Sequence, residues 1–382
     1  LLSFSTFAVG YLARPIADVI FGRLGDKIGR KHVLVTTLLL IGIATVVIGV
    51  LPGYATIGIA APIILVLLRL AQGIGVGGEW GGAVLLSSEF RDAKRRGFWS
   101  SAAQIGPPAG NLMANGVLAV LAATLSNEDF LSWGWRVAFL ASALLVGFGL
   151  LIRLRLEETP VFKAIQAHGE QPKAPIKEVF TKEPRALVSA ALSRISPDVL
   201  YSLLTVFMAV YATKELGMST SNVLTAILIG SAFQLVLIPA AGALTDRINR
   251  RLVYGIAAVG TAIYIPLFFV MIQDKSVLTL TIGIVIGLAF HAFMYGPQAA
   301  YITEQFPARL RYAGSSLAYT LAGVVGGAIA PLVFTALFAA SGNWFLIAGY
   351  LAVASIVTVI GLAIGRNPHT DEEERLLQEA HA

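Results

Sequence analysis

The 382-residue chain is 56% hydrophobic and only 13% charged, with a mean hydropathy of +0.77 and a formal charge of +6. Soluble domains carry about a quarter charged residues, so this composition excludes an ordinary soluble globular protein. Cysteine is absent, which excludes disulfides, thiolate nucleophiles and Cys-ligated metals; with no metal-ligand cluster or nucleophile constellation visible, neither an enzyme nor a cofactor is expected.

In chain order, apolar stretches at about 1–21, 33–51, 62–86, 98–124, 135–153, 186–212, 222–244, 252–272, 276–302, 314–340 and 343–364 are each long enough to cross a hydrocarbon core of ~30 Å. Their connections alternate sharply in charge. One side collects 22 of the 28 Lys and Arg residues, and the other has only Lys214 and Lys275 beside Glu128, Asp129 and Asp274. The excess of basic loops marks the cytoplasmic face, which puts the C-terminus inside the cell. Eleven spans with that orientation leave Leu1 outside, and a further helix before Leu1 is expected in the native protein. The expected organisation is a bundle over 1–153, a Pro-containing cytoplasmic connection over 154–185 with a short surface helix, a second bundle over 186–364 and a cytoplasmic tail over 365–382.

Two elements recur. Gly22-Arg23-Leu24-Gly25-Asp26-Lys27-Ile28-Gly29-Arg30-Lys31 returns as Gly242-Ala243-Leu244-Thr245-Asp246-Arg247-Ile248-Asn249-Arg250-Arg251. Glu89 precedes Arg96 by the same spacing as Glu304 precedes Arg311. Two features repeating at nearly one offset point to a duplicated helical bundle.

With these residues on the page, the chain resembles the major facilitator superfamily, whose loop between helices two and three carries the Gly-Asp-Gly-Arg-Lys signature. Further stretches are similar to its metabolite:proton symporter group: Arg69-Leu70-Ala71-Gln72-Gly73-Ile74-Gly75-Val76-Gly77-Gly78-Glu79-Trp80, Ser132-Trp133-Gly134-Trp135-Arg136, Tyr295-Gly296-Pro297-Gln298 and Glu304-Gln305-Phe306-Pro307-Ala308-Arg309. The resemblance implies an all-α polytopic fold of two pseudo-symmetric six-helix bundles with the first helix missing from this chain. It also implies a bacterial-type inner membrane location, a monomer, and proton-linked movement of shikimate, di- or tricarboxylates, proline or betaine. Family members usually have Gly where this chain has Asp18.

Ionisable groups at membrane depth usually face a cavity or a partner. Glu79 is the first choice for proton coupling, with permanent pairing to Arg14 or Arg136 as the structural alternative. Asp18 and His291 are further proton candidates, although Asp18 fits an ion pair with Arg14 one turn away and His291 fits a hydrogen-bonded core residue. Arg14, Arg69 and Arg194 are candidate anion ligands, because a guanidinium binds a carboxylate through paired donors. Arg194 and Asp198 repeat the Arg14–Asp18 spacing and also read as a structural pair. Among the polar residues Gln72, Gln104, Asn111, Asn115, Tyr201, Gln234, Tyr295, Gln298 and Tyr319, the expected substrate contacts are Gln104, Tyr201 and Gln298. Gly73 to Gly78 matches a dinucleotide fingerprint only formally; lying inside an apolar span, it reads as close helix packing. Gly106-Pro107-Pro108 and Gly323/Gly327 with Pro331 should bend or pack gating helices.

The loops at Asp26 and Asp246 are expected to latch the cytoplasmic side. Gly22, Asp26, Arg30 and Lys31 would act with Glu89 and Arg96, and Asp246 and Arg250 with Glu304 and Arg311. The function expected is proton-coupled symport of a small organic anion by alternating access. Its rivals are an osmolyte symporter, a proton-independent facilitator and a metabolite sensor.

Overall fold

The computed structural model describes residues 13, 14, 17, 20–22, 24, 25, 29–89, 93–169 and 174–366. Asp18, Asp26 and the acidic tail residues Asp371 to Glu374 lie outside them, as does most of the expected 1–21 span. Among the described residues there is no strand, and ten helical segments are long and apolar enough to cross a membrane. They are α1 Arg30–Val50, α2 Ala60–Glu89, α3 Arg96–Thr124, α4 Phe130–Arg155, α5 Pro184–Lys214, α6 Thr220–Leu244, α7 Arg250–Asp274, α8 Val277–Glu304, α9 Ala308–Ser341 and α10 Phe345–Ile364.

The helices group as the repeats suggest. In the first half α1 packs on α2 and α4; in the second, α8 packs on α6 and α7, and α10 on α5 and α7. The halves meet where α3 lies against α6 and α8, and α2 against α9. The outer surface is apolar, with Leu144 79% and Val236 69% exposed, as lipid contact requires. Lipid gives little hydrophobic drive for one helix to join another, so close packing of small residues does more of the work. The glycine run of α2 shows this: a Cβ on Gly77 would strike the backbone of Arg14, and one on Gly78 would strike Phe21.

Three spans are broken where proline or glycine dictates. In α3 the helix halts at Ile105 and restarts at Gly106-Pro107-Pro108. In α5 it is interrupted at Arg194 and widens over Leu203–Phe207. In α9 it widens over Val324–Ala328, ahead of Pro331. Proline lacks the N–H that would bond the carbonyl four residues back, and in lipid that carbonyl needs a substitute donor. The hydroxyl of Tyr254 supplies it for Ser193, freed by Pro197, at 2.7 Å. Ser202 supplies it for Gly327, freed by Pro331, at 3.2 Å.

The connection between halves contains two short helices, Pro160–Ala167 and Pro175–Lys182, where the sequence suggested one. Their apolar residues dock on the second half, with Val161, Ala164 and Ile165 around Ala308. Glu178 pairs with Lys182 at 3.0 Å and Arg309 at 3.2 Å; these two cations, Lys182 first, hold its carboxyl below the usual carboxylate range.

Candidate functional site

Polar residues from both halves converge midway along the helices. Arg194 lies about ten residues, or ~15 Å, along α5 from Pro184, near the middle of a ~30 Å core. Its Nε faces both carboxylate oxygens of Asp198, at 3.1 and 2.9 Å. Its guanidinium carbon stands 3.1 Å from the ring centroid of Tyr319, and Nη1 donates to the Tyr319 carbonyl. The other face of the arrangement comes from the first half: Trp80 of α2 stacks on Tyr319 with centroids 3.9 Å apart. Arg14 lies near enough for its charge to act on Asp198.

Above this pair, His291 of α8 stacks with Tyr295 and leans on Tyr201, at centroid distances of 4.8 and 5.1 Å. Its Nδ1 is bonded to Gln234 at 2.7 Å. The Tyr295 and Tyr319 hydroxyls share a 3.2 Å hydrogen bond. Toward the basic end, Gln104 accepts from the Trp80 indole at 2.8 Å and donates to the Tyr295 carbonyl at 3.2 Å and to Gln298 at 3.4 Å. Gln298 in turn donates to Tyr254 at 3.0 Å. Gln104, Gln234 and Gln298 are fully buried, so these partners offset a desolvation cost, with Gln234 Oε1 left unbonded.

The expected residues Arg14, Arg194, Gln104, Tyr201, Gln298 and His291 therefore share one region. Glu79 and Arg69 do not join it. Glu79 is paired with Arg153 of α4, which also donates to the Leu34 carbonyl of α1. Arg136 instead caps the end of α1 through the carbonyls of Gly49 and Leu51. Arg69 donates to Gln72, which donates to Thr45 of α1. Among the described residues, the polar partners of both lie within α1, α2 and α4. The sequence reading left Trp80, Tyr254 and Asp198 out of the site, and did not single out Gln234, Tyr295 or Tyr319 among its polar candidates. Trp80 adjoins the more conspicuous Glu79, and its orientation depends on helix rotation that apolar patterning does not reveal.

A second constellation closes the basic end. Arg30, 1% exposed, pairs with Glu89 and donates to Thr159 at 2.8 Å. Glu89 is also 3.5 Å from Arg311 across the interface. In the other copy Arg250 pairs with Glu304, and Asp246 accepts from the backbone N–H groups of Gly97 and Phe98. Arg96 is buried at the same end of α3. Gly22 and Gly25 abut Ala313 and Tyr312 of α9, and the Tyr312 hydroxyl reaches the Gly78 carbonyl at 2.5 Å. Gly29 has φ +100, and a Cβ there would collide with Glu158. That carboxylate accepts from the Lys31 N–H at 3.1 Å, at the positive end of a helix. Lys31 also donates through Nζ to the Leu154 carbonyl.

The model of the Major Facilitator Superfamily matches residues 2–331 and 198–382. The chain is 37% identical over 373 residues to the inner membrane metabolite transport protein YhjE of Escherichia coli K12, covering 95% of this chain and 84% of that one. It is 36% identical over 365 residues to the shikimate transporter of the same organism, covering 94% and 83%. Its fold superposes with a TM-score of 0.77 on the proton:xylose symporter XylE bound to 6-bromo-6-deoxy-D-glucose, at 17% identity and covering 98% of this chain and 89% of that one. The shared motifs, the helical architecture and these matches agree, and the chain belongs to the Major Facilitator Superfamily of membrane transporters.

Proposed function

We propose that the protein is a proton-coupled symporter of a small organic anion, working by alternating access in a bacterial inner membrane. The observation that carries this reading is Arg194 itself, a guanidinium midway along its span that gives Asp198 only its Nε and lies on the ring of Tyr319. Ionisable groups at membrane depth mark substrate or ion pathways, and a guanidinium with donors to spare binds an entering carboxylate through paired hydrogen bonds. Arg194 would bind the anion, while Gln104, Tyr201 and Gln298 would orient its hydroxyl or second carboxylate groups. The constellation at Arg30, Glu89, Asp246, Arg250, Glu304 and Arg311 would be the cytoplasmic latch, with the C-terminus on that side. The similarity to the shikimate transporter supports the substrate class.

The test is uptake of labelled shikimate, 2-oxoglutarate, citrate and betaine into proteoliposomes, with and without an alkaline interior. Accumulation of one of the acids that collapses with a protonophore is the expected result. Uptake indifferent to the protonophore would make the protein a facilitator. A second reading, a zwitterionic osmolyte, is favoured by the aromatic side chains of Trp80, Tyr319, Tyr295 and Tyr201 around the centre, because aromatic faces attract quaternary ammonium groups. Arg194 already occupies the face of Tyr319, which weighs against it; betaine uptake without acid uptake would establish it.

A further inference from the structure

We propose that Asp198 is the proton-carrying group of the cycle, and that it and the substrate carboxylate compete for Arg194. This rests on the organic-anion reading above and adds the device that would join the two fluxes.

The geometry of the pair is that of a partner built to be displaced. Arginine binds carboxylates best through two parallel N–H donors. Asp198 receives only Nε, and its Oδ2 is buried without a hydrogen bond. Among the described residues nothing accepts from Nη2 of Arg194. A carboxylate bonded by both Nε and Nη2 would therefore hold Arg194 better than Asp198 does. A displaced, ionised Asp198 would be left buried without its partner, which costs several kcal/mol, and taking up a proton removes that cost.

The step balances. On loading, one carboxylate oxygen of Asp198 gains a proton from the proton-rich side, forming one O–H bond. The substrate anion takes its place at Arg194, and the net charge of the site does not change. On release that O–H bond breaks toward the other side, Asp198 pairs again with Arg194, and the anion leaves. Neither half of the exchange is favourable alone, so proton and substrate move together. Linkage makes the effect reciprocal, since the proton must strengthen substrate binding by the factor with which substrate strengthens proton binding.

Charged and titratable groups act on the pair from α7, α8, α9 and the described residues before α1. They are Arg14, Tyr254 from α7, His291 and Tyr295 from α8 and Tyr319 from α9. A proton on His291 would add a positive charge beside Arg194, whereas a proton on Asp198 is compensated by the arriving anion. The exchange can also reach the latch. The widened turn of α9 lies directly on the pair, with a Cβ on Gly326 falling 2.9 Å from that of Asp198. The same helix carries Arg311, which faces Glu89 across the interface.

The experiment compares wild type and Asp198→Asn in proteoliposomes, using labelled shikimate as the probe and the other acids of the panel where shikimate is not taken up. In wild type the Kd should fall about tenfold per pH unit on acidification, wherever Asp198 is ionised in the free protein and protonated in the complex. The D198N protein should bind with a Kd flat in pH, support counterflow exchange, and fail to concentrate the acid. Uphill accumulation by D198N, or a Kd with the wild-type pH slope, overturns the inference. If D198N does not elute as a folded monodisperse protein, Asp198→Glu takes its place. That variant should keep coupling with a displaced pH midpoint, and a profile superimposable on wild type counts against Asp198. A wild type that transports no acid at all refutes the functional reading itself, which is a distinguishable result.

Discussion

Asp246, in the turn after α6, accepts the backbone N–H groups of Gly97 and Phe98 at 2.7 and 3.0 Å, although α3 and α6 belong to opposite halves of the molecule. A carboxylate at a helix N-terminus satisfies donors that have no intrahelical partner and meets the positive end of the dipole. The contact ties the two halves together at the basic end. It is reinforced by a glycine meeting in which a Cβ on Gly242 would fall 2.6 Å from the Gly97 carbonyl.

Asp246→Ala should therefore loosen closure without touching the central residues. Hydrogen bonds to a charged group contribute about 1.5–3 kcal/mol, which is roughly ten- to a hundredfold in the equilibrium between shut and open. The natural absence of cysteine gives a clean readout. Ser101, fully buried against Gly242, can be made Cys and its alkylation by an impermeant maleimide followed in inside-out vesicles. The D246A change should speed labelling about tenfold or more while substrate affinity stays within a few-fold. An unchanged labelling rate would show that the contact is not a latch.

The charge cluster at the basic end was legible in the sequence because it is written in charges repeated at fixed spacing. Arg30, Glu89, Asp246, Arg250, Glu304 and Arg311 all lie at that end, and Glu89 with Arg311 spans the interface. The spans were legible because length and hydropathy suffice to find them. Helix rotation was not, since in a bilayer an apolar side chain can face lipid or protein and the pattern does not tell them apart. For that reason Glu79 looked central but turns toward α1 and α4, while its neighbour Trp80 faces Tyr319. Arg194 and Asp198 were found as a pair; only the fold shows that Tyr319 and Trp80 surround them.

The widened turn of α9 offers a control built into two adjacent glycines. A Cβ on Gly326 would lie 2.9 Å from that of Asp198, whereas one on Gly327 meets nothing within 4 Å. Both atoms of the first contact sit next to backbone, so neither can swing aside, and overpacking of this kind costs about 1–3 kcal/mol. Gly326→Ala should lower the melting temperature in detergent and slow uptake; Gly327→Ala should change neither. Equal behaviour of the two variants would contradict the close approach of α9 to the pair.

Tyr254 carries two duties at once, donating to the Ser193 carbonyl that Pro197 leaves open and accepting from Gln298. Tyr254→Phe should cost about 1–3 kcal/mol, the penalty of a buried polar group left unsatisfied. Pro197→Ala restores an N–H four residues after Ser193, so the double variant should lose less than the sum of the single ones. A coupling of at least about 0.5 kcal/mol in that cycle, measured by thermal unfolding in one detergent, is the expected result. Strict additivity would mean that the hydroxyl does not replace the missing helical bond.

Glu79 and Asp198 can be separated by what their neutral variants lose. Glu79 is held by Arg153, whose other hydrogen bond goes to the Leu34 carbonyl, and these contacts join α1, α2 and α4. Removing one member of a buried ion pair leaves an uncompensated charge and costs about 3–5 kcal/mol when burial is complete. Here the side chains are 28% and 18% exposed, so the loss should fall at or below the lower end of that range. Glu79→Gln should thus be less stable, and adding Arg153→Met should recover part of the loss because the orphaned guanidinium is gone. Once reconstituted, both variants should still concentrate the acid when the vesicle interior is alkaline, since the Asp198–Arg194 pair is intact. If E79Q is as stable as wild type yet exchanges substrate without concentrating it, the proton travels on Glu79, and its pairing with Arg153 is one station of the cycle rather than a fixed brace.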